Sequence, residues 1–178
     1  MSIRLWSDGH SFPREQLEAA KSGGGLSVEL LSPRTTLVPA PHFRPEEAAE
    51  LLRLAGLPCR ESECAVWSDP EEEVVAVMAI DRATHDLLPP QTLFTSPLLA
   101  QNPGVENIAL LSRYENLLYI KIWERTLRLA EVLKVENDED LIYFLTRLGE
   151  VIPLGEYSLV VAGDEPQKLR KLVKKLFK

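Results

Sequence analysis

The sequence predicts an α/β fold in which mixed sheets carry helices on their faces. The strongest indication lies between Asn107 and Gly163, where three short strands, an amphipathic helix and a short buried strand follow one another. A rougher version of this order of elements occupies the first half of the chain. Short turns make neighbouring strands antiparallel, whereas a strand that returns through a helix runs parallel to its neighbour, so mixed sheets are expected.

Apolar runs and turn residues locate the elements of the first half. Pro45 suits the first position of a helix, Glu46 and Glu47 fill its positively charged first turn, and Gly56 ends it. A continuous apolar run at 74–80 favours a strand that is covered on both faces. The predicted strands are 3–6, 26–31, 35–38, 74–80 and 92–95, the predicted helices are 11–21, 45–55 and 81–88, and the glycines at 23–25 are predicted to form a loop.

The second half is more regular. Tight turns separate predicted strands at 108–111, 117–123 and 127–135. Asn137 is predicted to cap the next helix, with Asp140 placed for a reciprocal cap, and Gly149 is expected to end that helix. A buried strand at 159–162 and a last helix beginning near Pro166 follow. The apolar stripes of the two helices are predicted to be Leu141, Phe144, Leu145 and Leu148, and then Leu169, Leu172, Val173 and Leu176.

Composition and charge restrict the class of protein. The chain has 178 residues, 45% of them apolar and 26% charged, which is the balance of an ordinary globular protein. Its net charge of −7 disfavours general nucleic-acid binding. Residues 165–178 nevertheless hold six basic side chains and one acid. No apolar run is long enough to span a membrane and the N-terminus lacks the pattern of a signal peptide, so a cytoplasmic protein is expected.

The turn signals at 101–104 are the predicted boundary between two lobes. Strands, helix, strand and helix in this order are the core of a ribonuclease-H-like half, the unit from which actin-like ATPases are built. We therefore expect an N-terminal ribonuclease-H-like lobe at 1–103 and a C-terminal one at 104–178.

Four segments carry a family resemblance: Leu-Trp-Ser-Asp-Gly-His-Ser-Phe at 5–12, Pro-Arg-Thr-Thr-Leu-Val-Pro-Ala at 33–40 followed by Phe43, Glu-Asn-Asp-Glu-Asp-Leu-Ile-Tyr-Phe at 136–144, and Val-Val-Ala-Gly-Asp at 160–164. In this order they resemble an uncharacterised bacterial family, a domain of unknown function with an actin-like ATPase fold. The resemblance implies a fold similar to that of the actin-like proteins of pilus assembly and secretion, in a chain that is short for the family. It implies no established activity.

An actin-like ATPase holds phosphates and Mg²⁺ with an acid near the end of a strand and a glycine-rich hairpin beside it. The candidates here are Asp8 and Gly9 in the first lobe and Gly163 and Asp164 in the second, but each pair is first of all a turn signal. The second lobe's hairpin at 112–116 contains no glycine. We therefore predict no cofactor, no metal and no catalytic residue, and we favour a chain that is not an enzyme, with a nucleotide-dependent enzyme as the open alternative.

Three other constellations have ordinary structural interpretations. Asp138, Glu139 and Asp140 point in different directions on a helix, so we interpret them as capping residues rather than as a metal cluster. Asp81 or Asp86 with His85 suggests a proton relay, but a surface pair is the simpler interpretation. Cys59 and Cys64 are predicted to be free thiols, with a metal site or redox pair as the alternatives.

Two hypotheses for the function remain. The first is a non-catalytic actin-like scaffold or adaptor, a pseudo-ATPase that offers the basic face of its last helix to an acidic protein partner or to a second copy of itself. The predicted partner-binding residues are Lys168, Lys171, Lys174 and Lys175. The alternative is a nucleotide-dependent ATPase or kinase relative with degenerate phosphate loops. A third hypothesis, in which the last helix anchors the chain to a membrane surface, fits less well because its apolar stripe is narrow.

Overall fold

The computed structural model describes residues 2–10, 15, 25–70, 73–102 and 104–177. The predicted helix at 11–21 and the glycine loop at 23–25 lie outside these residues, apart from Glu15 and Gly25. Contacts divide the chain into two compact units, one that ends at Ala100 and one that begins at Gln101. The assignment of 1–103 and 104–178 to two ribonuclease-H-like lobes stays a prediction.

The described residues of the N-terminal unit form two small sheets. In the first, parallel strands are arranged in the order β1-β2-β6, and in the second, antiparallel strands are arranged in the order β3-β5-β4. Helix α1 follows a 3-10 turn at Pro45–Glu47 and packs on the second sheet, whereas α2 is a single turn after β5. The elements are β1 Ser2–Trp6, β2 Ser27–Leu31, β3 Thr35–Pro39, α1 Ala48–Leu54, β4 Glu63–Trp67, β5 Val74–Asp81, α2 Arg82–His85 and β6 Leu93–Thr95.

Two features of this unit were not predicted from the sequence. A short link joins β2 and β3, but the two strands belong to different sheets: β2 pairs with β1 and β6, and β3 pairs with β5. The Ser32 hydroxyl donates to the carbonyl of Ala79 at 2.8 Å, and this bond holds the corner where the chain passes between sheets. Strand β4 is absent from the predicted strands, because charged and polar residues surround its short apolar centre. Glu63, the first residue of β4, is buried and is bonded to the Arg34 side chain and to the Arg60 backbone N–H.

The C-terminal unit follows the predicted order of elements. Its sheet has the order β10-β7-β8-β9, in which β7, β8 and β9 are antiparallel and β10 is parallel to β7. The return of the chain through a helix explains the parallel strand. The elements are β7 Ile108–Tyr114, β8 Leu117–Trp123, β9 Leu127–Lys134, α3 Asp138–Val151, β10 Ser158–Gly163 and α4 Pro166–Leu176.

Helices α3 and α4 bury their predicted stripes against this sheet. Leu141 and Leu145 of α3 and Leu169 and Val173 of α4 are each at most 4% exposed. They share one core with apolar residues of β7 and β8. Gly149 was predicted to end α3, but the helix continues to Val151. A side chain at position 149 would overlap the ring of Phe177.

The predicted cap of α3 is confirmed. The Asn137 side chain accepts a hydrogen bond from the Asp140 backbone N–H at 2.8 Å. In return, the Asp140 carboxylate accepts from the Glu136 backbone N–H at 3.1 Å. One N–H group of the first turn is therefore satisfied by the cap, and the return bond from Asp140 goes to the residue before the cap, Glu136, rather than to Asn137.

Candidate binding site

The turn after β1 uses its acid and its glycine internally. Gly9 has a φ of +74°, its N–H donates to the Trp6 carbonyl at 2.9 Å, and a side chain at this position would overlap Thr84. The Asp8 carboxylate accepts from the His10 backbone N–H at 3.1 Å and lies 2.7 Å from Nδ1 of the same histidine. Partial burial raises the pKa of Asp8, but the bonds from His10 outweigh it and leave that pKa below its usual value.

The other candidate pair, Gly163 and Asp164, contacts the backbone of the turn between β7 and β8. Gly163 lies opposite Arg113 in the parallel ladder and packs so tightly on its backbone that a side chain would overlap it. The Asp164 backbone N–H donates to the Arg113 carbonyl at 2.6 Å, and the Asp164 carboxylate accepts from the Glu115 backbone N–H at 2.9 Å. The turn amide is therefore bound by a carboxylate of the same chain, which would repel a phosphate.

An ion cluster lies at the start of α3. Asp138 Oδ1 accepts from Arg113 Nη1 at 2.9 Å, and Asp138 Oδ2 lies 2.9 Å from Lys168 Nζ. The hydrogen bond from Lys168, and to a smaller extent that from Arg113, lowers the pKa of Asp138. In turn, the bond to Asp138 raises the pKa of Lys168. The cluster is open to solvent on one side, because the side chains of Asp138 and Lys168 are 43% and 54% exposed.

A cleft of about 230 Å³ adjoins this cluster. Lys168, Lys171, Leu172 and Lys175 reach it together because the spacing i, i+3, i+4, i+7 places them on one side of α4. The cleft is lined by Arg113, Asp138, Leu141, Lys168, Leu169, Lys171, Leu172 and Lys175. These residues comprise four basic groups, one carboxylate and three leucines, so the cleft combines an apolar floor with an excess of three positive charges.

The structure brings together three of the four predicted partner-binding lysines. Lys174 is exposed on the same helix but lies outside the cleft. Sequence analysis missed the contributions of Arg113 and Asp138. The parallel pairing of β10 with β7 places Arg113 beside the turn before α4. The register of this pairing cannot be predicted from residue spacing in the sequence.

The remaining candidates have structural roles. The Asp81 carboxylate accepts from the Thr84 backbone N–H at 3.2 Å and so caps α2, while His85 faces Asp86 at 3.6 Å on the surface. Cys59 and Cys64 are free thiols. Burial raises the pKa of both, which makes them less reactive than an exposed thiol.

Neither a metal site nor a membrane-spanning helix is present among the described residues. No group of three or more histidine, cysteine or acidic side chains within them has the geometry to hold a metal ion. None of their helices combines the length and the apolar composition that a membrane crossing requires. A second cleft, of about 420 Å³, lies in the N-terminal unit between β4 and β6, and Trp67, His85 and Phe94 contribute to its walls.

Comparison with known proteins establishes the fold. A solved structure from Bacteroides thetaiotaomicron VPI-5482, described as a protein with an actin-like ATPase fold and unknown function, matches with a TM-score of 0.66 and 24% sequence identity. The match covers 85% of this chain and 65% of that one, so this chain spans just under two thirds of its length. The chain thus has an actin-like ATPase fold of reduced size, and the predicted fold class is confirmed.

A second structure is similar over nearly the whole chain but at a lower score. It is the cytoplasmic domain of EpsL, an inner membrane component of the type II secretion system of Vibrio cholerae. The match has 13% identity and a TM-score of 0.45, and it covers 98% of this chain and 92% of that one. A score of this size does not establish a shared fold. No family model and no curated protein matches the sequence.

Proposed function

We propose that this chain is a non-catalytic actin-like scaffold or adaptor, a pseudo-ATPase that binds a protein partner through the basic face of α4. The face consists of Lys168, Lys171, Lys174 and Lys175. The observation that carries the proposal is the excess of positive charge in the cleft beside α4, in a chain whose net charge is −7. Charge concentrated in a cleft attracts a ligand of opposite sign and increases its rate of association.

The two turns that contain Asp8 and Glu115 support the non-catalytic part of the proposal, because their polar groups bond to other residues of the chain. In nucleotide-binding folds, backbone N–H groups of a glycine-rich turn point at the phosphates. Here the Glu115 N–H donates to the carboxylate of Asp164, and the Asp8 carboxylate is bonded to His10. A nucleotide would have to displace these contacts and bring its phosphates close to Asp164.

An acidic protein suits this face better than a nucleic acid does. Nucleic-acid binding gains affinity from many phosphate contacts along an extended basic surface. The basic residues of this chain are concentrated at 165–178, whereas the remainder carries the opposite charge. For the same reason, a second copy of this chain is the nearest alternative to a foreign partner.

The proposal is tested by reversing two lysines. The double variant Lys171→Glu, Lys174→Glu should fold normally and lose salt-sensitive partners that the wild type retains from an extract of its own cells. A matched control, Arg128→Glu with Arg147→Glu, makes the same change in charge at two other exposed positions of the C-terminal unit.

We expect the control to retain those partners, and we expect sedimentation velocity to show whether the partner is a second copy. Equal retention by the wild type and the lysine variant would contradict the proposal. Loss of the same partners in both variants would show that only net charge matters.

A further inference from the structure

Two kinds of surface meet in the cleft between α3 and α4. Leu141 and Leu169 belong to the core and are 1% and 2% exposed, while Leu172 is half-buried and completes an apolar floor. Basic side chains stand around this floor. A simple electrostatic contact needs no apolar floor, and a simple hydrophobic contact needs no ring of lysines.

The positive charge at the cleft is only partly neutralised. Asp138 pairs with both Arg113 and Lys168, and the Glu165 carboxylate lies 3.9 Å from Lys168 Nζ, so these two cations are balanced by nearby carboxylates. Among the residues that the structure describes, neither Lys171 nor Lys175 makes an ion pair. These two lysines are exposed and lie one helical turn apart on α4.

We infer that the cleft is a docking site for an acidic peptide segment with one apolar side chain, in which the apolar side chain sits on Leu172 and flanking carboxylates meet Lys171 and Lys175. This inference rests on the proposed function and names the chemistry of the partner. The complementary charges attract and orient the segment, and burial of the apolar side chain adds affinity that salt does not screen.

A membrane surface fits these residues less well. A helix that lies on a membrane directs its most apolar residues into the lipid. In α4 the most buried residues, Leu169 and Val173, pack on the core of their own unit. The helix has no comparable apolar face left for lipid.

Fluorescence anisotropy with labelled synthetic peptides tests the inference. The probe is a glutamate-rich peptide with one central leucine, and the matched peptides carry serine in place of leucine or lysine in place of glutamate. We expect the leucine peptide to bind about tenfold more tightly than the serine peptide, because its side chain leaves water. We expect the lysine peptide not to bind.

Two adjacent residues supply the matched protein variants. Lys174 and Lys175 carry the same charge and are both exposed on α4, but only Lys175 lines the cleft. Lys175→Glu should weaken the leucine peptide at least about tenfold, and Lys174→Glu should weaken it much less. Asp138→Asn should tighten binding, because it removes the one carboxylate of the cleft.

The results separate this inference from the proposed function. Equal losses in Lys174→Glu and Lys175→Glu, or equal affinity for the leucine and serine peptides, would overturn the cleft as the docking site and leave general attraction by the basic helix intact. If the chain binds phosphatidylserine vesicles and the leucine peptide does not displace them, the inference that the ligand is a peptide would be overturned in favour of a membrane surface. A chain that binds none of the peptides, and whose lysine reversals leave partner retention unchanged, would overturn both proposals.

Discussion

Each unit contains a carboxylate held by arginine, but the carboxylate is shielded from water in only one of the two clusters. In the N-terminal unit, Arg34 makes two bonds to Glu63, and the side chains are only 16% and 10% exposed. In the C-terminal unit, Asp138 is 43% exposed and shares its charge with Arg113 and Lys168. A shielded pair is sensitive to the loss of one partner, whereas an exposed cluster contributes little stability and can be used for recognition.

The largest expected effect concerns the shielded pair. Arg34→Met should lower the free energy of unfolding by about 3–5 kcal/mol, because it leaves the buried charge of Glu63 without its partner. The backbone N–H of Arg60, 2.7 Å from Glu63, compensates only in part. Urea unfolding followed by circular dichroism measures the change.

The matched control is Arg53→Met, which breaks the solvent-exposed pair with Glu50. It should change the stability far less. If Arg34→Met were as mild as its control, the contrast between a shielded and an open cluster would be wrong.

The second prediction compares apolar packing with the open cluster in the C-terminal unit. Leu145 is completely buried, so Leu145→Ala should cost about 2–5 kcal/mol through lost burial and a cavity. Asp138→Asn should cost less than about 1 kcal/mol, because water screens its ion pairs. Urea unfolding in which the asparagine variant is the less stable of the two would show that the cluster is structural.

The third prediction concerns acid unfolding. Burial raises the pKa of Glu63, but the bonds from Arg34 and the Arg60 N–H outweigh it, and the folded pKa lies below the ordinary value of 4.5. Because the folded pKa is depressed, this stabilisation is present above about pH 4.5 and is lost as the pH falls through the folded pKa.

Melting temperatures of the wild type should therefore fall more steeply below pH 4.5 than those of the double variant Arg34→Met, Glu63→Leu. Identical pH profiles would show that the pair of Arg34 and Glu63 does not contribute to acid unfolding.

The fourth prediction concerns the cap at the start of α3. Asn137→Ala should cost about 1 kcal/mol, because the Asp140 N–H loses its acceptor. Asn137→Asp keeps an acceptor and should restore most of the loss. If the alanine variant unfolds at the same urea concentration as the wild type, the cap adds nothing to this helix.

The success of sequence reasoning differed between the units for a physical reason. The cap at Asn137 and the stripe through Leu145 depend on spacing along one helix, and both were predictable. Strand β4 and the pair of Glu63 with Arg34 depend on which strands become neighbours. Only part of the cleft was predictable. The periodicity of α4 places Lys171 and Lys175 on one side of the helix, whereas the position of Arg113 depends on the register of β10 on β7.

The central claim is that the chain keeps an actin-like fold without nucleotide binding and uses its open positive charge for recognition. The most direct measurement is the melting temperature of the full chain with millimolar Mg-ATP, beside the variant Asp8→Ala. A ligand at 100 times its dissociation constant would stabilise the chain by about 2.7 kcal/mol, which is readily detected. We predict no shift in either protein, whereas a reproducible rise that Asp8→Ala abolishes would contradict the account.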